Sequence, residues 1–593
     1  MARSRRWLGA AEQHWLRMVL LVWLALAVWL LWDRYRLILG FALGDTDDNL
    51  RITQVRDWLQ GQAWFDLRQH RLSPPAGFDI HWSRLVDLPI AGLILLFRPF
   101  VGGVDAERWA VALAPLLPLG LILVSLSLTI RRVVAPLAFW LAPALLITSG
   151  YVLGMVQPLR IDHHGWQLAL LATMVAGLVD PARNRGAVVA AAATVLSLVI
   201  GLEMLPYLAI GTGIMGLRWV ALGEPAADPL RRYAATLAAG SAVGFLLFAS
   251  QANRAPVCDA LSPVWLSATI GGGALFWLIS HFGRLGWPGR LALAGAAALL
   301  LAGGFALAWP DCLGRPEGVS PELERLWLSN VREARPAWRL KPDLLYPMIL
   351  LPVAGLIGAG LAIWRGRRSA LVLDWIAIFL LVATAAGLLA WQTRAAPAAQ
   401  LLAIPAAAAL AWTVGRALLA LPTLAMRAVA LFVLFMIVSG VGLSGVLKLV
   451  PKDPPHPRTA AVNLANNRCP TLSALRPIAR IRPPQTIFTF VDLGPRLLAT
   501  TRHRAIAGPY HRNGDAIVAV HHAFDGTPDR ARQIMKSRGA TLLMVCPNMS
   551  ESTIYRARSP KGFYAQLASG TRFGWLDPLP LPPNSPYRLW RIR

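Results

Sequence analysis

The sequence predicts a polytopic α-helical membrane protein of about 13 spans with a small C-terminal α/β domain. Three observations carry this. First, 56% of the 593 residues are hydrophobic and only 15% are charged, with a mean hydropathy of +0.50, whereas soluble chains carry nearer a quarter charged residues. Second, apolar stretches recur from Met18 to Val450, and each matches the roughly 30 Å hydrocarbon core that a helix crosses in about 20 residues. Third, the long apolar runs stop after Val450, and strand-like and helix-like segments alternate from there to the end.

The first span is expected near 17–39. It follows Arg3, Arg5 and Arg6 and has no small-residue cleavage site after it, so it reads as an uncleaved signal anchor. A polar stretch follows and belongs to a first outside loop at about 41–107. Within that loop Leu88–Phe100 is apolar but short, flanked by Asp87 and Arg98, and reads as a re-entrant or interfacial helix. Twelve further apolar stretches run from near 108 to near 447. With that count, the short inside loops hold Arg131 and Arg132, Arg183 and Arg185, Arg231 and Arg232, Arg284 and Arg290, Arg365 to Arg368, and Arg416 and Arg427. Arginine retention on the cytoplasmic side places the N-terminus inside and the C-terminus outside.

The same rule accounts for many of the arginines behind the formal charge of +27. Loop arginines of this kind meet membrane lipid headgroups and phosphates, and they indicate no nucleic-acid partner. All four cysteines, Cys258, Cys312, Cys469 and Cys546, fall outside, where an oxidising compartment permits two disulfides, Cys258–Cys312 and Cys469–Cys546; four free small hydrophobes are the alternative. The chain thus divides into residues 1–450, a transmembrane domain, and 451–593, a periplasmic domain. The latter opens with the linker Pro451–Pro457 and holds strand-like Thr486–Val491 and Thr541–Val545 and helix-like Asp529–Arg538.

Chemistry is expected in the outside loops. Asp45, Asp47 and Asp48 stand in the first, Asp162, His163 and His164 in the next, Glu333 before the span near 343–364, and Arg394 after that near 370–390. Carboxylates from separate loops can converge on a hard divalent cation, Mg²⁺ or Mn²⁺. An arginine at the same surface can hold a phosphate by two parallel hydrogen bonds. Each group also has an ordinary role: the aspartates as caps of a helix over Leu50–Leu59, Glu333 as a partner of Arg332 or Arg335, Arg394 as an interfacial anchor. Glu203, at a span boundary, has no assignment. Gly211 to Gly216 fits GxGxxG but lies inside a span with no preceding strand, so close helix packing explains it.

In the order of these loops the chain resembles the oligosaccharyltransferase catalytic subunits of the GT-C glycosyltransferase superfamily. Thr46-Asp47-Asp48 with Arg56-Asp57 is similar to the family's first acidic motif, Asp162-His163-His164 to its second, and Asn330-Val331-Arg332-Glu333 to its Ser/Thr-x-x-Glu motif. The resemblance implies an inverting transferase that takes a sugar from a polyprenyl-phosphate or polyprenyl-diphosphate donor to an extracytoplasmic glycan, lipid or protein at the bacterial inner membrane. Asp48 is then the best match for the catalytic carboxylate, with Asp47 and Asp45 as close alternatives. Asp162, His164 and Glu333 would hold the metal, and Arg394, with His163, the donor phosphate. The acceptor-reading Trp-Trp-Asp-Tyr-Gly motif is absent, and the tail offers Tyr510 to Asp515 and His521-His522 instead. Two other classes fit the same features: a transporter or flippase for a lipid-linked glycan, for which Glu203 and the glycine- and proline-rich spans speak, and a non-catalytic envelope scaffold.

Overall fold

The computed structural model describes residues 12–449, 454 and 456–593. Arg3, Arg5, Arg6 and most of the Pro451–Pro457 linker lie outside the described residues. Eight helices among the described residues are long and apolar enough to cross a membrane, from Trp15–Asp33 to Thr393–Leu418. A ninth follows if Leu424–Val438 and Val441–Leu449, bent by 83°, count as one span. The remaining predicted spans fall on the shorter or less apolar helices Pro136–Thr148, His164–Leu178, Ala227–Phe248 and Val372–Leu388. The chain is therefore a multi-pass membrane protein. The apolar piece near Leu88–Phe100 forms the 15-residue helix Asp87–Val101. Its Leu88, Leu95, Leu96 and Phe100 are exposed, as suits a helix lying against lipid.

Small residues bring the spans close. A Cβ on Gly358 would lie 2.0 Å from the carbonyl oxygen of Ala406, and one on Gly355 2.7 Å from the Cβ of Ala403, so Pro342–Arg365 and Ala396–Leu418 touch along a glycine–alanine seam. Gly211 likewise sits against Met174, where a Cβ would meet the sulfur at 2.7 Å. Gly216 of the same GxGxxG run likewise sits against Phe276, where a Cβ would lie 3.3 Å from the ring, so Gly211 and Gly216 are packing residues.

The tail folds around a five-stranded sheet in the order β4-β3-β5-β7-β6: β3 Thr486–Phe488, β4 Arg504–Ala505, β5 Leu542–Val545, β6 Leu576–Pro578 and β7 Arg588–Ile592. β3 pairs in parallel with β4 and β5, while β7 is antiparallel to β5 and β6. The helix Pro528–Ser537 stands where the sequence placed one. A two-stranded ribbon, β1 Arg68–Gln69 with β2 Phe78–Asp79, lies in the first loop. The second apolar core draws on both regions: Leu50, Leu72, Phe78 and Trp82 from the first loop pack with Phe488, Leu497, Tyr510 and Phe524 from the tail. Both predicted disulfide pairs, Cys258–Cys312 and Cys469–Cys546, are formed.

Within this tail His521 is buried, and its Nδ1 accepts a hydrogen bond from Arg558 at 2.7 Å. Burial, then the charges of Arg558 and His522, push its pKa down to about 3. A histidine depressed in the folded state stabilises the fold above its unfolded pKa of about 6.5 and loses that contribution as pH falls toward the folded value. The thermal midpoint of the purified chain should therefore fall between pH 6.5 and 4, with a shallower slope in His521→Gln; the same slope in both proteins would refute this.

Candidate active site at one membrane face

The acidic motif sits at the start of the helix Thr46–Leu59, which is buried on every side from Asp48 to Val55 because it is wedged between the membrane helices and the tail. Asp45 is its N-cap and accepts the backbone N–H of Asp47 at 3.4 Å. Asp48 is fully enclosed, at 0% exposure. One of its oxygens accepts the backbone N–H of Asp162 at 3.0 Å and the other accepts Arg160 Nη1 at 3.1 Å. Arg160 Nη1 also reaches Asp45 at 2.6 Å, so one guanidinium joins the first and second acidic motifs. Asp47 remains half-buried, and no side-chain hydrogen bond or ion pair closes its carboxylate among the described residues.

The second motif is braced from below. Asp162 accepts the backbone N–H of His163 at 2.6 Å and lies 2.5 Å from its Nδ1; its other oxygen meets His164 Nδ1. His163 is buried, with Nε2 2.9 Å from Glu203, whose second oxygen accepts Gln167 at 2.6 Å. A further layer follows: Arg51 lies 3.2 Å from His163 Nδ1, pairs with buried Asp87 at 2.9 Å and stacks over Trp82. His163, placed by the sequence at the donor phosphate, is thus enclosed between two carboxylates and an arginine. Glu203, left without a role by the sequence, is the floor of the site.

Charge is distributed unevenly over this cluster. Burial raises the pKa of Asp47, and Asp162, Asp45 and Glu333 push it further, leaving it well above the ordinary carboxylate range. Asp48 is pushed up to about 7 by burial, Asp45 and Asp162 acting in the same direction against Arg160. Asp162 behaves oppositely: burial would raise it, but His163 and His164 hold its carboxyl well below the usual range. His163 is pushed up to about 10, because Asp162 and Glu203 outweigh its burial.

Glu333 and Arg394 pair across the mouth of the site at 3.4 Å, and Arg394 also lies 3.6 Å from Glu317. Thr393 ties the two loops by donating its N–H to the carbonyl of Arg335 at 2.8 Å. Both partners are solvent-accessible, and the charge of Glu333 is felt at Asp47. The charges of Asp162, Asp45 and Glu333 are thus all felt at Asp47, Asp162 meets His164, and Glu333 pairs with Arg394.

The tail closes one side. Tyr510 donates its hydroxyl hydrogen to the carbonyl of Thr46 at 3.0 Å and stacks on Phe78. His511 and Arg512 both bind Asp259, at 2.6 Å and at 2.6 and 2.7 Å. Arg496 reaches Asn49 at 3.0 Å. Among these supporting residues, the one sequence signal for Arg160 is its place beside Asp-His-His, and for Asp259 its neighbour Cys258.

The donor set suits a hard cation. Asp162, His163 and His164 each place a ligand atom within 4.8 Å of the others. His163 is committed to Asp162 and Glu203, which leaves Asp162 and His164, with Asp47 and Glu333 nearby, as the oxygen-rich set that such a cation takes. The burial and repulsion that raise Asp47 and Asp48 would be relieved by the same charge.

These features define a polytopic membrane protein with an acidic cluster at one membrane face. No family model matches the sequence, and no curated protein matches it. Among solved structures, the archaeal oligosaccharyltransferase AglB from Archaeoglobus fulgidus, in complex with an inhibitory peptide and a dolichol-phosphate, is similar at 15% identity and a TM-score of 0.63, over 90% of this chain and 70% of that one. The Archaeoglobus fulgidus oligosaccharyltransferase tethered to an acceptor peptide containing the NVT sequon gives a TM-score of 0.65 at 15% identity, over 96% and 73%. Its complex with zinc and sulfate gives 0.57 at 14%, over 85% and 64%. At these identities the likeness is one of fold.

Proposed function

We propose that this chain is a membrane glycosyltransferase that moves a sugar or oligosaccharide from a polyprenyl-phosphate or polyprenyl-diphosphate to an extracytoplasmic acceptor. The observation that carries this reading is the half-buried Asp47 carboxylate, which has no side-chain partner among the described residues and feels the charges of Asp162 and Glu333, the latter paired with Arg394. The bacterial inner membrane, with the tail in the periplasm, is the setting consistent with the two disulfides and the arginine-rich opposite face.

Within this reading Asp47 replaces Asp48 as the carboxylate that orients the acceptor, because Asp48 has both oxygens occupied and no open face. Direct displacement at the anomeric carbon, without a glycosyl-enzyme, needs a carboxylate against the acceptor and positive charge against the leaving phosphate. Arg394 supplies the charge once it exchanges its exposed glutamate partners for phosphate, a bidentate match. Asp162, His164 and Glu333 would hold the divalent metal, with Asp47 beside them. When bound, that metal supplies Lewis-acid stabilisation of the negative charge that develops on the departing phosphate. Arg160 and His163 keep the two motifs in register. The neighbours bind a dolichol-phosphate, an acceptor peptide, and zinc with sulfate, which is the same ligand chemistry.

The test is transfer by purified protein in detergent from radiolabelled polyprenyl-phosphate and polyprenyl-diphosphate sugars to envelope extract. Label should move to a new species with Mg²⁺ or Mn²⁺ and stop with EDTA, returning when the metal is restored. Label that crosses the bilayer of proteoliposomes without transfer would make the chain a flippase instead.

A further inference from the structure

On the membrane face opposite the acidic site, the ends of four helices enclose a second charged cluster. His164–Leu178 and Leu205–Leu222 finish there, and Arg183–Ile200 and Ala227–Phe248 begin there. Between them lies a cavity of about 50 Å³ lined by Arg183, Ala187, Met215, Arg218, Leu222 and Pro229. One carboxylate, the fully buried Asp374, serves two arginines: Arg183 binds it with both terminal nitrogens at 2.9 Å, and Arg218 with one at 2.6 Å. Asp180 beside them serves two more, Arg132 at 2.7 Å and Arg185 at 2.9 Å. Four cations therefore share two anions. Arg218 is only 8% exposed, and its buried Nε has no hydrogen-bond partner among the described residues. A buried guanidinium N–H left unmade is costly, and each such donor calls for an acceptor.

The surroundings of this cluster are apolar and open to lipid. Leu217 and Leu222, on the helix that carries Arg218, are more than half exposed. A ligand that satisfies both conditions has an anionic head at the depth of the arginines and hydrocarbon along the helix.

We propose that this cavity binds the phosphate of an anionic phospholipid from the bilayer leaflet opposite the acidic site. The phosphate oxygens accept from Arg218 and from the accessible side of Arg183, while Asp374 holds both guanidinium planes in place. The site is independent of the transfer reaction and of its metal.

The test uses full-length protein in neutral detergent, titrated with phosphatidylglycerol, with phosphatidylcholine, and separately with inorganic phosphate. Thermal stability should rise with phosphatidylglycerol at concentrations roughly tenfold below those phosphatidylcholine requires, a preference of the size that a few arginines provide. Arg218→Gln and Arg183→Gln should each remove that preference, while Arg532→Gln in the tail should keep it. Arg183 is partly exposed and its loss leaves Asp374 paired to Arg218, so Arg183→Gln decides the matter should Arg218→Gln not fold. Equal responses to the two lipids, a preference that survives Arg183→Gln, or its loss in Arg532→Gln would overturn the site. A full response to millimolar inorganic phosphate alone would overturn the lipid as its source.

Discussion

Asp47→Asn is expected to reduce transfer by roughly 10²–10⁴-fold, the usual worth of a positioned acid–base group, and at the same time to raise the thermal midpoint. The two effects have one cause. Asp47 stands where burial and the charges of Asp162, Asp45 and Glu333 all oppose its ionisation. A carboxylate kept in that position costs stability at neutral pH, because its folded pKa lies above its unfolded one and the favourable contribution is confined to lower pH. The amide keeps the size and removes the charge. Asp48→Asn should also lower activity, but with a smaller gain in midpoint than Asp47→Asn, because the lost ion pair with Arg160 offsets the relief of the buried charge. Transfer and melting measured on both variants separate the roles. Near wild-type turnover in Asp47→Asn would sink the assignment, and a lowered midpoint there would sink the electrostatic account.

The largest loss of stability is expected from Arg51→Met. Arg51 and Asp87 are both fully buried, and Asp87 also accepts Gln54 at 2.6 Å. Gln54 in turn accepts Trp82 at 2.8 Å, and Arg51 lies over the same indole at 4.7 Å. Removing the arginine leaves a buried carboxylate with only Arg84, 3.6 Å away, to offset it, and breaking one half of such a pair costs about 3–5 kcal/mol. Arg51→Met combined with Asp87→Leu should recover most of that loss, because apolar replacements of a buried pair are near neutral. A double variant as unstable as the single one would show that the loss arises from packing around Trp82 rather than from the stranded charge.

Much of this architecture was legible in the chain itself, because the bilayer imposes a length and an apolarity that hydropathy reads directly. The spans, the short helix at 87–101 and the tail strands at 486 and 542 all follow from patterns within a single segment. What was not legible depends on segments meeting. Asp45, Asp47 and Asp48 look alike in sequence, and only the approach of Arg160 and of the Asp162 backbone separates a cap, an open carboxylate and an enclosed one. His163 and His164 are adjacent, yet Glu203, forty positions on, commits the first and leaves the second. The tail segment Tyr510 to Asp515 could have been an ordinary turn; its anchor, Asp259, lies far away in a loop without any motif. The boundary near residue 450 is similar: it follows hydropathy, while the apolar core outside the spans joins the first loop to the tail.

Helices that meet backbone against side chain cannot slide past each other, so the seam at Gly355 and Gly358 makes Pro342–Arg365 and Ala396–Leu418 one stiff plate. Glu333 hangs from the segment that leads into the first helix, Arg394 from the turn that opens the second, and Thr393 pins one segment to the other. Glu333 and Arg394 are therefore held in one fixed relation to each other. Under the proposed function, the leaving-phosphate arginine and the outer carboxylate are thus presented by one pair of packed helices rather than by two independent loops.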